Sequence, residues 1–397
     1  MATKATVVSI KGESPKDLEG QAARRVMRRL FFHGEGERRD IIEVDGDKPL
    51  TVKDLRSRRK YDVYILINGI VYITLEGVNN LIEIISRKKA FPMVGPVSNE
   101  STVAHQRYSP PFFYQTISVF RWAEAEIRRE FRDKVAEVDE IDDFCFAFRR
   151  ELLDGLPDDY KVIDLPKILK KRGLRYGIAK GVYVHRYGNC YESGREDLMA
   201  YVPLGAREIL DIGSARGLFG EMLKKRQRCV VTGVDIDTQL ITVARKRVDN
   251  VIHGDIEEIS GKAILGKYDC IVCGDVLEHL NNPWEVVRRL KNHLRKGGLF
   301  IASTPNIANW AIIYEMLQER WDYVPFSILS GTHVRFFTKK TLEELFEDTG
   351  YKIKEVKLQS FGIPPRGAEF VAGLKHSLPG ISEEDLKASE IVIVAEA

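Results

Sequence analysis

A strand that runs into a glycine-rich turn constrains this chain more than any other stretch of its sequence. Residues 209–220 read ILDIGSARGLFG, an apolar run followed by small residues and then by the start of a helix. Small residues at 213, 215 and 217 let backbone N–H groups approach a ligand closely. A second carboxylate, Asp235, follows about one helix and one strand later, where it can bind a pair of ribose hydroxyls. The pattern predicts a nucleotide-cofactor site in an α/β domain, without deciding which cofactor is bound.

The length and charge of the chain limit the classes of protein to consider. A length of 397 residues favours two domains, because single cores rarely grow beyond about 250–300 residues. The net charge of +3 argues against a dedicated nucleic-acid surface. The first residues lack the pattern of a signal peptide, and no run of about 18 apolar residues occurs. We therefore expect a cytoplasmic protein of two domains.

The second half of the chain alternates apolar strands with amphipathic helices. Helices are predicted after residues 217, 238, 282 and 339. The predicted strands are 208–212, 229–235, 250–253, 268–273, 298–303, 351–357 and 390–396. This alternation predicts a doubly wound parallel sheet. The polar stretch 191–197 is interpreted as a linker, which places the domains at 1–194 and 195–397.

The order of motifs makes residues 195–397 resemble the class I S-adenosylmethionine-dependent methyltransferases, with the glycine loop at 211–217 and strands that end at 233–235 and 253–255. Three further segments, residues 268–280, 303–310 and 332–338, are similar to the subgroup that contains ubiquinone-biosynthesis O-methyltransferases. The resemblance implies a Rossmann-like, seven-stranded sheet and S-adenosylmethionine as the cofactor. A dinucleotide enzyme is the alternative interpretation of the glycine loop alone, and the downstream segments argue against it.

The resemblance also implies which residues bind the cofactor. The predicted set is Asp211, Gly213, Ala215, Gly217, Asp235, Ile236, Asp255, Ile256 and Asp275. The glycine loop is implied to approach the methionine end, Asp235 to hold the ribose hydroxyls, and Asp255 to accept from the adenine amino group. Ala215 stands where the family has a glycine, which we expect to be tolerated only if its φ is negative.

A group of carboxylates and imidazoles is predicted beside that loop. Asp275, Glu278 and His279 follow the fourth strand at a spacing that places them on one side of a helical turn, and His333 comes later. Small-RNA 2'-O-methyltransferases use a similar set. That resemblance implies that the four residues bind Mg²⁺ or Mn²⁺ and present a sugar hydroxyl, with His279 and His333 as catalytic residues. Two alternatives stay open: His279 acts as a metal-free base beside His333, or the group is structural, with the carboxylates capping the helix.

The first half of the chain resembles family 2 glycosyltransferases of the GT-A fold, over about residues 5–195. Residues 94–99, 138–153 and 181–188 carry this resemblance. Residues 67–71 stand where the family has its metal-binding Asp-x-Asp, and Lys161-Val162 stands where it has an acceptor-activating Glu-Asp. Without either group, two contributions to lowering the barrier are lost. We therefore expect a smaller, GT-A-like α/β domain without glycosyltransferase activity.

Together the two resemblances predict an O-methyltransferase for a sugar hydroxyl of a glycan or surface-polysaccharide intermediate. The expected partners are a glycan acceptor and glycan-assembly enzymes. Alternatives are an RNA 2'-hydroxyl, a catechol-like small molecule, or a non-catalytic scaffold in polysaccharide assembly.

The long connection 304–337 is predicted to fold over the site as a lid. Its aromatic residues either offer flat faces to sugar rings or form the lid's own core: Trp310, Tyr314, Trp321 and Tyr323.

Overall fold

The computed structural model describes residues 5–10, 41–44, 49–57, 61–69, 71–110, 112–186, 194–259, 264–324 and 327–397. The chain divides into two compact units, of which the first comprises 1–188 with 323–326 and the second comprises 189–322 with 327–397. Residues 22–30, where apolar positions at 23, 26, 27 and 30 predict a helix, lie outside the described residues. Within the described ranges, no helix is long and apolar enough to cross a bilayer.

The first unit is an α/β structure around a mixed sheet. Its strands are β1 (Ala5–Ile10), β2 (Ile41–Val44), β3 (Val63–Asn68), β4 (Val71–Tyr72), β5 (Met93–Ser98), β6 (Val135–Val138), β7 (Cys145–Arg149) and β8 (Tyr176–Arg186). Its helices are α1 (Val52–Arg56), α2 (Leu75–Arg87), α3 (Ile117–Phe131) and α4 (Leu165–Lys171). The strand order is β2-β1-β3-β7-β5-β8-β4, with β6 also paired to β8. Strand β7 runs antiparallel to β3 and β5, whereas β1 is parallel to β2 and β3.

The second unit contains a sheet of seven strands with helices on both faces. The strands are β9 (Glu208–Ile212), β10 (Val230–Asp235), β11 (Asn250–His253), β12 (Tyr268–Gly274), β13 (Leu294–Pro305), β14 (Lys352–Gln359) and β15 (Glu390–Glu396). The helices are α5 (Glu196–Met199), α6 (Leu218–Arg226), α7 (Thr238–Ala244), α8 (Pro283–Lys291), α9 (Trp310–Leu317), α10 (Lys339–Asp348), α11 (Pro365–Ser377) and α12 (Glu383–Lys387). The strand order is β11-β10-β9-β12-β13-β15-β14. All seven strands predicted from the sequence are therefore confirmed.

The sheet of the second unit is not parallel throughout, so that part of the prediction is wrong. Strand β15 lies between β13 and β14 and runs antiparallel to both. The register pairs Gln359, the last residue of β14, with Glu390, the first residue of β15. The chain thus re-enters the sheet at the same end of the strands where β14 finished. Strand β15 must therefore run in the direction opposite to β14. A parallel strand would need a crossover to the opposite edge.

Alternating residues of the central strand β12 face two separate cores. Ile271 and Cys273 pack with apolar residues of α8 and α10 on one side of the sheet. Cys270 and Val272 pack with α6 on the other side. Burial on both faces explains the unbroken apolar run of this strand, and it confirms the doubly wound arrangement.

Candidate active site

The turn between β9 and α6 forms the predicted glycine loop at the carboxyl edge of the sheet. Gly213 and Ser214 donate their N–H groups to the Val234 carbonyl, at 2.8 and 3.0 Å. The φ of Gly213 is 71°, in the left-handed region that favours glycine. A Cβ on Gly213 would also overlap Cγ2 of Val276. Both backbone conformation and lack of space therefore require glycine at position 213.

Ala215 departs from the prediction made for it. Its φ is 46°, positive rather than negative, so the expectation of a negative φ is wrong. The backbone N–H of Ala215 donates to Oδ2 of Asp235 at 2.8 Å, and this bond holds the turn in place. A left-handed alanine costs about 1–2 kcal/mol. The loop therefore stores strain at a position where glycine would be relaxed.

Replacing Ala215 with glycine is expected to raise the stability of the cofactor-free protein by about 0.5–1 kcal/mol. Relief of the left-handed strain outweighs the extra entropy that glycine gives the unfolded chain. Thermal unfolding should show a Tm higher by about 1–4 °C. Ala388, with a φ of −70°, provides the control, because glycine at that position should lower the Tm. A Tm that falls equally in both variants would refute the strain argument.

Two carboxylates, Asp211 and Asp235, lie at the ends of β9 and β10. Asp211 is buried, and its Oδ2 has no hydrogen-bond partner among the described residues. Burial, together with the nearby charge of Asp235, raises the pKa of Asp211 to about 8. A buried carboxylate oxygen without a partner is costly unless a ligand supplies a hydrogen bond or a positive charge. Asp211 therefore fits a cationic cofactor at this edge.

The ends of β10 and β11 bring further predicted residues to the same edge. Gly254 donates its N–H to the Asp235 carbonyl at 3.0 Å, which joins the two strand ends. Oδ1 of Asp255 accepts the Glu257 N–H at 2.8 Å. Ile236 is 52% exposed and offers an apolar surface, whereas Ile256 is buried in the core. Ile236 is thus the better placed of the two isoleucines to pack against a flat base.

Asp275 does not lie where the spacing predicts. Its φ of 53° breaks the expected helical turn, which begins only at a short 3₁₀ segment, Leu277–His279. Oδ1 of Asp275 accepts the Ser303 hydroxyl at 2.9 Å, and Oδ2 accepts from Arg195. Within the described residues, the group that can hold a cation contains Glu278, His279 and His333, without Asp275. The predicted four-residue cluster is therefore corrected to three.

Arg195 lies in the stretch that the sequence predicts as a linker, yet it connects distant parts of the second unit. Its guanidinium forms ion pairs with Asp197, Asp275 and Glu390, and it donates to the Ser303 hydroxyl at 3.1 Å. Burial and the charge of Asp275 raise the pKa of Glu390 to about 8. These partners lie up to 195 residues away in the chain, so spacing within a motif could not reveal them. A lone arginine before a Glu-Asp pair is the only signal that the sequence offers.

Glu278, His279 and His333 form one compact cluster. Their ligand atoms lie within 4.8 Å of one another, and the Glu278 side chain is buried. The two imidazole rings meet edge to face, with centroids 4.8 Å apart. The backbone N–H groups of Val334 and Arg335 donate to the Glu278 carbonyl at 2.8 and 3.0 Å. These backbone bonds explain how a histidine 54 residues after His279 is held beside it.

The protonation state of His333 follows from its environment. Nδ1 lies 2.9 Å from the Ile328 carbonyl, which can only accept, so Nδ1 carries the proton and Nε2 keeps its lone pair. Burial and the nearby His279 ring lower the pKa of His333 to about 4. His333 is therefore neutral at pH 7 and offers Nε2 as a ligand or as an acceptor of a proton.

The aromatic residues of 304–337 differ in burial and in their ring contacts. Trp310 is fully buried, and a Cβ on Gly367 would meet its ring, so Trp310 belongs to the core rather than to a sugar platform. Tyr314 meets Phe370 edge to face at 5.3 Å. Trp321 meets Phe336 at 5.4 Å and stays partly exposed. Of the two interpretations left open by the sequence, the buried core is therefore the one that applies to Trp310.

Comparisons with known proteins find similarity to methyltransferases over part of the chain. Residues 183–356 match the family described as "Methyltransferase domain". A ubiquinone biosynthesis O-methyltransferase from Coxiella burnetii is 28% identical over 163 residues, which is 39% of this chain and 68% of that protein. Its counterpart from Rickettsia canadensis is 29% identical over 165 residues, 40% of this chain and 67% of that protein. A solved SAM-dependent methyltransferase from Archaeoglobus fulgidus is 20% identical, covers 51% of this chain and 92% of that chain, and gives a TM-score of 0.37.

Proposed function

We propose that this chain, an S-adenosylmethionine-dependent methyltransferase, transfers the methyl group to a sugar hydroxyl of a glycan or surface-polysaccharide intermediate. The cluster of Glu278, His279 and His333 carries the proposal. Val276, on the turn that leads to this cluster, is the residue that a side chain on Gly213 would strike. A hydroxyl held at the cluster would therefore lie next to the cofactor loop.

The carboxyl edge of the second unit suits the cofactor. S-adenosylmethionine supplies a methyl group on a positively charged sulfur, ready for attack by an oxygen. Asp211 presents a buried carboxylate oxygen that lacks a partner among the described residues. We assign Asp235 to the ribose hydroxyls, and Asp255 with Ile236 to the adenine, as the family resemblance implies. These residues bind and orient the donor, and the cluster of Glu278, His279 and His333 binds the acceptor.

The cluster also suits a divalent cation. Glu278, His279 and His333 provide one carboxylate and two imidazoles within 4.8 Å. This donor set favours Mn²⁺ over Mg²⁺, because Mg²⁺ prefers oxygen ligands in a strict octahedron. A cation bound there would act as a Lewis acid and would lower the pKa of a hydroxyl that it contacts. The hydrogen bond from His333 to the Ile328 carbonyl already orients its Nε2 for such a ligand.

A metal-free reaction is the alternative for the same three residues. In that version an imidazole of the pair accepts the hydroxyl proton directly. A pKa of about 4 makes His333 a weak base at neutral pH, since its buried environment disfavours the protonated form. This property argues against His333 as the unassisted base and leaves that role to His279 in the metal-free alternative.

The acceptor class rests on the first unit. Its resemblance to glycosyltransferases supports a sugar acceptor, and we propose that it binds glycan, or an enzyme of glycan assembly, without glycosyl transfer. A catechol is the second candidate, because the similar proteins from Coxiella burnetii and Rickettsia canadensis are named ubiquinone biosynthesis O-methyltransferases. Sugars and catechols share a pair of neighbouring hydroxyls that one cation can chelate.

The test uses the full chain with isotope-labelled S-adenosylmethionine and three acceptor sets. These are mono- to tetrasaccharides with neighbouring hydroxyls, 3,4-dihydroxybenzoate, and a short RNA. Mass spectrometry should show the gain of one methyl group on a saccharide, lost with a chelator and restored by Mn²⁺. Methylation of the catechol or the RNA alone would refute the sugar acceptor. Turnover unchanged by the chelator would refute the cation.

A further inference from the structure

Trp321 is an aromatic side chain of the 304–337 segment that stays partly exposed in the second unit. Trp310 is fully buried, Tyr314 packs against Phe370, and Tyr323 belongs with the first compact unit. Trp321 is 38% exposed. Its contact with Phe336 is edge to face, at an interplanar angle of 85°, which leaves open ring surface beside the contact.

The position of Trp321 is fixed relative to the catalytic cluster. Phe336 lies three residues after His333, on a stretch whose backbone bonds to the Glu278 carbonyl through Val334 and Arg335. The same stretch is held at its other end, where Ile307 donates to the Phe337 carbonyl at 2.9 Å. Three residues span at most about 11 Å. Trp321 therefore lies within reach of an extended oligosaccharide whose reacting hydroxyl is at His333.

The groups that flank Trp321 are polar. Nε of Arg320 donates to Oδ2 of Asp322 at 2.7 Å, and both side chains are partly exposed. A hydrocarbon chain placed over this surface would remove water from the two charges without replacing its hydrogen bonds. A sugar ring can place its C–H face on the indole while its hydroxyls bond to the carboxylate and the guanidinium. The chemistry of the surface thus favours a sugar over a lipid.

We propose that Trp321, with Arg320 and Asp322, forms a subsite for a sugar ring of the acceptor that neighbours the ring to be methylated. The subsite rests on the proposed sugar acceptor, and it would make the enzyme distinguish acceptors by the length of their saccharide. The enzyme would select an oligosaccharide over the corresponding monosaccharide, because only the longer molecule reaches both the cluster and the indole.

The test compares the full-length protein with Trp321→Ala, Trp321→Phe and Trp284→Ala. Trp284 is the matched control, since it is 37% exposed, lies on α8 of the same unit and also contacts a phenylalanine ring, Phe337. A microarray of mono- to tetrasaccharides identifies glycans that the wild-type protein retains and methylates. Calorimetric titration then gives the Kd for one such oligosaccharide and for its terminal monosaccharide.

The expected result is a Kd for the oligosaccharide about tenfold weaker in Trp321→Ala. The Kd for the monosaccharide and the affinity for S-adenosylmethionine should stay unchanged. Trp321→Phe should retain most of the affinity, because it keeps a flat face, and Trp284→Ala should bind like the wild type. Equal oligosaccharide binding by Trp321→Ala and the wild type would overturn the subsite while leaving the sugar acceptor intact. If the wild type neither binds nor methylates any saccharide, both proposals fail.

Discussion

Replacing Gly213 with alanine is expected to weaken S-adenosylmethionine binding by more than an order of magnitude. Alanine would have to adopt a φ of 71°, and its Cβ would overlap Val276. The two costs are about 1–2 kcal/mol for the conformation and about 1–3 kcal/mol for the overpacking. The loop can relieve them only by moving, so the cofactor should bind about 30- to 5,000-fold more weakly. Calorimetric titration of the variant with S-adenosylmethionine measures this loss.

Gly297 provides a control that separates the cost of the backbone conformation from the cost of the steric overlap. Its φ is 77°, close to that of Gly213, but a Cβ there would meet nothing within 4 Å. Gly297→Ala should therefore lower the Tm modestly and leave the affinity for the cofactor unchanged. Normal cofactor affinity in Gly213→Ala, with a folded protein by circular dichroism, would show that the 213–217 turn does not form the donor site.

Replacing Glu278 with glutamine is expected to reduce methyl transfer by about 10²–10⁴-fold while the cofactor still binds. The change keeps the size of this buried side chain and removes its charge. A cation would lose its only carboxylate ligand in the cluster of Glu278, His279 and His333. His333→Ala should give a loss of similar size, because it removes the Nε2 that faces the same centre. Labelled-methyl transfer at saturating cofactor, with and without Mn²⁺, provides the measurement.

His376 serves as the control for the histidine variant, since it is an exposed residue of α11. His376→Ala should transfer methyl groups at the wild-type rate. Full turnover in both Glu278→Gln and His333→Ala would assign the cluster a structural role and remove the basis of the proposed acceptor site. A loss in His333→Ala alone, unaffected by Mn²⁺ or by a chelator, would instead support the metal-free base.

The frame of the second unit could be predicted because its elements depend on local patterns. Apolar runs of strand length, with helices between them, place all seven strands within a few residues, except that β13 begins earlier than expected, at Leu294. The direction of β15 could not be predicted. It depends on where the chain lies after Gln359, and nothing in the apolar run of 390–396 encodes a direction.

In the candidate site, too, features that depend on neighbouring residues could be predicted, and features that depend on distant residues could not. Glu278 and His279 are neighbours in the sequence, and their pairing with His333 was expected from a motif. Asp275 shares that motif, yet one left-handed φ turns it toward Ser303 and Arg195. Spacing assumes regular backbone geometry, so a single irregular residue invalidates it. Arg195 was missed for the complementary reason, since its role depends on partners from three separate segments.

The insertion of β15 between β13 and β14 also bears on how the second unit forms during synthesis. Every other strand of this sheet emerges from the ribosome before residues 390–396 do. Until then, β13 and β14 expose backbone edges that only β15 can join. A nascent chain stalled before residue 390 would therefore present two unpaired edges at once, which are templates for association with other chains.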